Sequence, residues 1–188
     1  MTPTREPVLE GTRIIMRPLG VEDARDVWEL LVRNRDFFIP TMPQPDDSYF
    51  TLEKQTEILQ RIEEEQKQGK RLQFGIFLRE EGTLAGCLML ANIRGIPFSS
   101  CILGYYLDER QTGRGLVSEA VRLACRYAFD ELGIHRIEAG VMPRNTASVR
   151  VLERAGFVRE GVARKNILIQ GRWEDHLMFS LLKEEANF

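Results

Sequence analysis

The sequence predicts a mixed α/β fold built on a mostly antiparallel sheet, and three observations carry the prediction. Leu72, Phe74, Ile76 and Leu78 alternate with their neighbours, and after the turn EEGT the alternation resumes at Leu84, Gly86, Leu88 and Leu90, as in a β-hairpin. From Leu52 to Lys67, the apolar residues Leu52, Leu59 and Ile62 mark the inner side of an otherwise polar helix. Finally, the strand-like run CILGYYL passes through Gly113 and Gly115 into apolar residues at helical spacing that continue to Leu132.

The remaining elements follow in order. Arg13 to Leu19 reads as a first strand, and a helix from Val21 turns Ala24, Val27, Trp28, Leu30 and Leu31 to a broad apolar face. The segment FFIPTMPQPDD holds three of the eight prolines, which makes it a loop. A strand from Ile102 to Leu107 precedes the glycines; HRIEAGVM supplies another, and Asn145 to Ala155 a short helix. NILIQ and HLMFSLL, separated by GRWED, read as a closing hairpin around Gly171. With 188 residues, 43% of them hydrophobic, and no repeat, low-complexity segment or linker, a single domain spanning residues 1–188 is expected.

A net charge of -2 argues against a protein that coats nucleic acid, which needs a strongly basic face. Cys87, Cys101 and Cys125 are scattered singly, so neither a disulfide framework nor a zinc knuckle is indicated, and a reducing cytoplasm fits best. His135 and His176 lack partners at metal-ligand spacing, so no metal is expected. The opening MTPTREPVLEGTR has no apolar signal core, and no run approaches the roughly 18 apolar residues of a membrane span. A soluble protein without a membrane partner is the expectation.

DERQTGRGLVSEA, from Asp108 to Ala120, carries the chemistry. The first turn of a helix presents unpaired N–H groups and partial positive charge, and glycine lets an anion approach that backbone closely. Arg114 adds charge between the glycines; the alternative is an ordinary turn. A nucleotide-hydrolysing P-loop is excluded, because GRGLVS has neither its spacing nor its lysine. Gly113-x-Gly115-x-x-Ser118 approaches a dinucleotide fingerprint, but Ser118 replaces the third glycine, an antiparallel meander precedes it and no second βαβ half follows.

A third ligand class, acetyl-coenzyme A, is indicated by resemblance. Gln111-Thr112-Gly113-Arg114-Gly115-Leu116-Val117 resembles the pyrophosphate loop of the GNAT superfamily of N-acetyltransferases. HRIEAGVMPRNTASVRVLERAGFVREG resembles the second half of a GNAT domain, with Asn145 and Ser148 in its N-x-x-S signature. TRIIMRPL and NILIQGRWEDHLMFSLL resemble the branch that includes the ribosomal-protein alanine N-acetyltransferases RimJ and RimL. The resemblance covers nearly the whole chain. Many GNAT loops end in Gly or Ala where Val117 stands.

The resemblance implies a sheet whose strands splay, leaving backbone groups of Tyr106, Leu107 and Asp108 free for the pantetheine arm. The Leu107 amide is the candidate donor to the developing oxyanion. Asn145 is both a good N-cap and a candidate coenzyme contact. Ser148 is the candidate acid for the departing thiolate, or a helix-start serine bonded to backbone. For the general base, Glu138 is the leading carboxylate, with Glu109 and Tyr105 behind it. A reference pKa of about 7.7 to 8.0 leaves roughly a tenth of free α-amines neutral at pH 7, against roughly 0.04% of lysines, so an N-terminal transferase manages with a weak base. Trp173 either packs against a peptide or caps the core edge.

These implications add up to an acetyl-CoA-dependent N-acetyltransferase in which an amine attacks the thioester directly in a ternary complex. The acceptor implied by the resemblance is a protein N-terminal α-amine, with a ribosomal protein as the leading candidate. Two alternatives stay open: a small amine or antibiotic, favoured if FFIPTMPQPDD closes a pocket, and a non-catalytic coenzyme-binding module.

Overall fold

The computed structural model describes residues 7–43 and 45–187. In chain order the elements are β1 (Leu9–Glu10), β2 (Ile14–Pro18), α1 (Ala24–Arg33), α2 (Arg35–Phe38), α3 (Leu52–Lys67), β3 (Leu72–Leu78), β4 (Leu84–Arg94) and β5 (Ser100–Leu107). There follow α4 (Leu116–Asp130), β6 (Arg136–Val141), α5 (Thr146–Arg154), β7 (Val158–Ile169) and β8 (Arg172–Leu182). The strands form one mixed sheet in the order β1-β2-β3-β4-β5-β6-β8-β7. All its neighbours run antiparallel except β5 and β6, which are parallel.

Helices cover both faces. Ala120, Ala124 and Ala128 of α4 recur every fourth residue and are fully buried, so a stripe of methyl groups lets this helix lie close to the sheet. Leu152 of α5 and Ala155 at its C-cap join the same core with Phe74, Leu88, Leu103 and Phe179. On the other face Val27, Leu30 and Leu31 of α1 meet Leu59 and Ile62 of α3 over Phe77 and Cys87. Burying one such side chain stabilises the fold by about 1.5–3 kcal/mol.

Two segments differ from the sequence reading. GRWED does not separate the last two strands, because β8 already begins at Arg172 and pairs Trp173 with Leu168 and Glu174 with Ile167. β7 starts at Val158, eight residues before NILIQ, and most of its side chains are exposed. An edge strand wetted on both faces carries no period-2 hydrophobic signal, so its first half is invisible in the sequence. The proline-rich segment also begins within a turn of helix, α2, which supplies its first two residues.

The feature that positions the site is the seam between β5 and β6. Only Ser100–Arg136, Cys101–Ile137 and Ile102–Glu138 pair across it. Beyond Ile102, β5 continues to Leu107 alongside β4 alone, and the two parallel strands diverge into a wedge-shaped cleft.

Candidate active site

Backbone direction along β5 decides what faces that cleft. Asp108 N–H donates to Ala85 O at 2.7 Å, on the β4 side. Antiparallel alternation turns Tyr106 the same way, opposite Cys87, and therefore aims the N–H groups of Tyr105 and Leu107 into the cleft. The expectation that Tyr106, Leu107 and Asp108 all offer free backbone is thus corrected: Leu107 does, while Tyr106 and Asp108 are committed to β4. The Asp108 side chain is also engaged. It accepts from Arg33 Nε at 2.7 Å and from Arg110 N at 3.1 Å. Burial would raise its pKa, but Arg33 and the backbone donor hold it below the usual carboxylate range.

The glycine loop follows directly. Gly113 and Gly115 have φ of +74° and +75°, the left-handed region that glycine enters without a steric cost, and Gly115 is the N-cap of α4. Among the described residues, the N–H groups of Gly113, Arg114, Gly115, Leu116, Val117 and Ser118 donate to no protein acceptor. Six free donors at the start of a fifteen-residue helix suit a pyrophosphate. The Leu116 side chain is buried in the core, so only its backbone faces out. Thr112 Oγ1 donates back to Glu109 O at 2.7 Å, and the Arg114 guanidinium donates to Gln111 Oε1.

One residue that the sequence reading took for the start of a strand holds this loop. Arg13 donates from Nη1 to Arg114 O and from Nη2 to Gly115 O at 3.3 Å. Its N and Nε donate to the Glu119 carboxylate, both at 3.0 Å. With the two carbonyls turned to Arg13, the loop's N–H groups face the other way. No local pattern could reveal this, because the partners lie about a hundred residues apart in the chain.

Across the cleft, Asn145 caps α5 by accepting from Ser148 N at 3.1 Å. Its N-cap role is therefore real, and its amide nitrogen is left over. Tyr105 Oη donates to Ser148 O at 3.3 Å, tying the first turn of α5 to β5. Burial pushes the Tyr105 hydroxyl up to about 12, so it stays protonated and acts as a donor rather than a base. Ser148 is thereby held over the strand that carries Leu107. Glu109 is exposed, and its N–H donates to Asn34 Oδ1.

Glu138 lies elsewhere, in the last residue pair of the closed seam. Arg136 Nε donates to it at 2.9 Å, and Arg94 lies 3.7 Å away. Its carboxylate is thus held between two guanidinium groups rather than presented to an open channel.

On the α1/α3 face a cavity of about 320 Å³ reaches β5 at Gly104, Tyr105 and Tyr106. Met42 from the proline-rich segment, Tyr49 just beyond it, and Ile58 and Gln55 from α3 contribute to its walls. Pro43 bridges to Ile169, and Gln170 Nε2 donates to Met42 O, which pins the segment to β7. A wider, open depression of about 660 Å³ lies at the β7–β8 turn, lined by Arg144, Lys165 and Trp173 among others. Trp173 is 57% exposed, which rules out a role in capping the core.

Residues 13–158 match the family described as "Acetyltransferase (GNAT) domain". This chain belongs to the GNAT acetyltransferase family. Among GNAT relatives, "Probable N-acetyltransferase YjcK" of Bacillus subtilis is 43% identical over 95% of this chain and 98% of its own. The "[Ribosomal protein uS5]-alanine N-acetyltransferase" of Escherichia coli is 35% identical over 92% of this chain and 89% of its own. Of the solved GNAT structures, the ribosomal-protein-S5-alanine acetyltransferase of Vibrio fischeri has a TM-score of 0.91 at 30% identity, covering 97% of this chain and 100% of the other. RimJ of Mycobacterium smegmatis, in complex with CoA-disulfide, has a TM-score of 0.92 at 27% identity over 98% of this chain and 91% of the other. The protein is an acetyl-CoA-dependent GNAT N-acetyltransferase. Among the described residues no group of His, Cys, Asp and Glu is arranged to hold a metal, and no helix is long and apolar enough to cross a membrane.

Proposed function

We propose that this enzyme acetylates the N-terminal α-amine of a protein, with a ribosomal protein as the favoured acceptor. The single observation that supports direct transfer is that β5 is approached from both sides. The glycine loop leads into α4 on one face of the sheet, and the 320 Å³ cavity opens on the other, so coenzyme and acceptor meet at the strand without exchanging places. The acceptor's identity rests on likeness to the uS5-alanine enzyme along nearly the whole chain.

Bound acetyl-CoA supplies the activated acetyl group. The N–H groups from Gly113 to Val117 hold its pyrophosphate, Gln111 and Thr112 shape that loop, and Asn145 reaches the coenzyme with its spare amide. The Leu107 N–H, already aimed into the cleft, donates where negative charge develops on the acyl oxygen; such a donor contributes about 10²–10³ in rate. Ser148 Oγ delivers a proton toward the departing sulfur. Glu138 supports the seam, and a neutral α-amine needs no carboxylate beside it. The cytoplasm is the proposed location, consistent with three free, buried cysteines.

A small-amine acceptor is the second reading, favoured by the way Met42 brings the proline-rich segment to the cavity wall. Thiol release from acetyl-CoA with a panel of short peptides and free amines, and mass spectrometry to locate the acetyl group, separates the two. Acetyl on peptide α-amines is the expected result, and acetyl on small amines alone overturns the protein-acceptor reading. Absence of transfer to every member would leave coenzyme binding as the only activity.

A further inference from the structure

The lining of the 320 Å³ cavity has a charge that a pocket for amines should not have. Arg61 and Arg71 both border it, the uncharged polar residues Gln55 and Gln73 face it, and no Asp or Glu is among the described residues that line it. Free α-amines and lysines are mostly cations at neutral pH. A bare cation is therefore repelled by its own binding site.

Arg71 is also short of partners. Its Nη2 donates to Gln73 Oε1 at 2.6 Å and lies 3.3 Å from Met89 Sδ. Glu65, outside the cavity, forms an ion pair with Nη1 at 3.7 Å, too long for a direct hydrogen bond. Arg71 Nε is buried with no partner at all. Gln55 and Gln73 are almost wholly buried, and Gln55 Nε2 is taken by Tyr49 O at 2.6 Å. What the cavity lacks is an anion.

We propose that the cavity selects acceptors that carry a carboxylate within a residue or two of the reactive amine, and that Arg71, oriented by Gln73, is the residue that reads it. This inference rests on the reading of the cavity as the acceptor site. The carboxylate belongs to an acidic side chain near a peptide N-terminus or to the terminal carboxylate of a short peptide. The same two guanidinium groups disfavour the protonated amine, so they supply part of what a general base would otherwise do. Lysine side chains and polyamines, all cation and no anion, are excluded.

The test uses the full chain saturated with coenzyme A and titrated calorimetrically with the C-terminally amidated peptides Ala-Glu-Ala-Ala, Ala-Gln-Ala-Ala and Ala-Lys-Ala-Ala. Ala-Ala with a free and with an amidated C-terminus forms a second set, and acetyl-CoA turnover is followed on all five. The glutamate peptide is expected to bind about tenfold more tightly than the glutamine peptide, the loss of one charge-assisted hydrogen bond, with the lysine peptide weakest. R71Q is expected to shrink that advantage to about twofold or less while leaving coenzyme A affinity intact. R61Q, at an exposed residue, shows the same trend if R71Q is unstable.

Equal binding of the three peptides with no gain from the free C-terminus of Ala-Ala, preference for lysine, no binding of either the glutamate peptide or free-acid Ala-Ala, or an advantage that survives in both variants overturns the inference. An advantage confined to free-acid Ala-Ala assigns the cavity to a terminal carboxylate. The two readings fail separately: charge-ordered binding without acetyl on an α-amine refutes the N-terminal transferase alone. Acetylated α-amines with no charge order refute the carboxylate reading alone.

Discussion

Replacing Arg13 with alanine tests whether the glycine loop is held in its anion-binding shape from outside. The guanidinium bonds the carbonyls of Arg114 and Gly115, and Glu119 fixes it in place. A hydrogen bond from a charged donor contributes about 1.5–3 kcal/mol where water is excluded. The Arg13 side chain is 52% exposed, so solvent screening reduces the pair of carbonyl bonds to about 1–2 kcal/mol in total. Spent on loop geometry, that loss raises the KM for acetyl-CoA and the Kd for coenzyme A by about 5- to 30-fold, with kcat changed by less than about threefold. Arg13→Lys keeps the charge but not the fork, so it recovers only part of the affinity. Steady-state kinetics at saturating acceptor, paired with calorimetric titration of coenzyme A, reads the split. A fall in kcat at unchanged KM, or an unchanged Kd in the alanine variant, would refute the idea that Arg13 shapes the loop.

Three further outcomes are expected. Ser148→Ala should lower kcat by roughly 10²–10⁴ with coenzyme A affinity nearly kept; an unchanged rate removes the hydroxyl from the mechanism. Asp23 and Asp108 are both held below the ordinary carboxylate value of 3.8 by arginine, against the opposing effect of burial. The stability they add is therefore full above that value and lost as pH falls through their lower folded values. Urea unfolding from pH 6 to 3 should steepen below about pH 4, and Asp23→Asn or Asp108→Asn should flatten the slope. Finally, burial pushes the Cys87 and Cys101 thiols up to about 12 and raises that of Cys125 too. A thiol reagent should label none of them in the native protein at pH 8 and all three in denaturant, and rapid native labelling would contradict their burial.

What could be read in the sequence was whatever leaves a local pattern. The bounds of α3 were legible because Leu52, Leu59 and Ile62 fall at helical spacing in a polar run, and the structure adds the cap, Thr51 accepting from Lys54 N. The β3–β4 hairpin was legible because large apolar residues recur at every second position on either side of EEGT, even though helices on both faces bury nearly every residue of β3 and of the first half of β4. The first half of β7 was not, because its side chains face water on both sides of the sheet edge. Within the site, the glycine loop and Asn145 announce themselves through conformational demands that few residues meet. Arg13 and Arg71 announce nothing: each is a single arginine whose meaning comes from groups that folding brings to it. The direction of a backbone N–H is hidden in the same way, and it separates Leu107 from its two neighbours only once the β4–β5 register is known.

The three residue pairs joining β5 to β6 make the molecule two half-sheets with a short weld between them. The weld is reinforced at one end: Arg136 grips Glu138 on its own strand and Glu160 on β7, and Ser180 of β8 donates to Glu160 at 2.8 Å. Everything past the weld is a gap whose width depends on how the two halves lean. A molecule lodged there acts as a keystone, bearing on both halves at once and resisting their closure. A stiffer molecule on binding is the expected consequence, readable as slower amide hydrogen exchange in both half-sheets when coenzyme A is added.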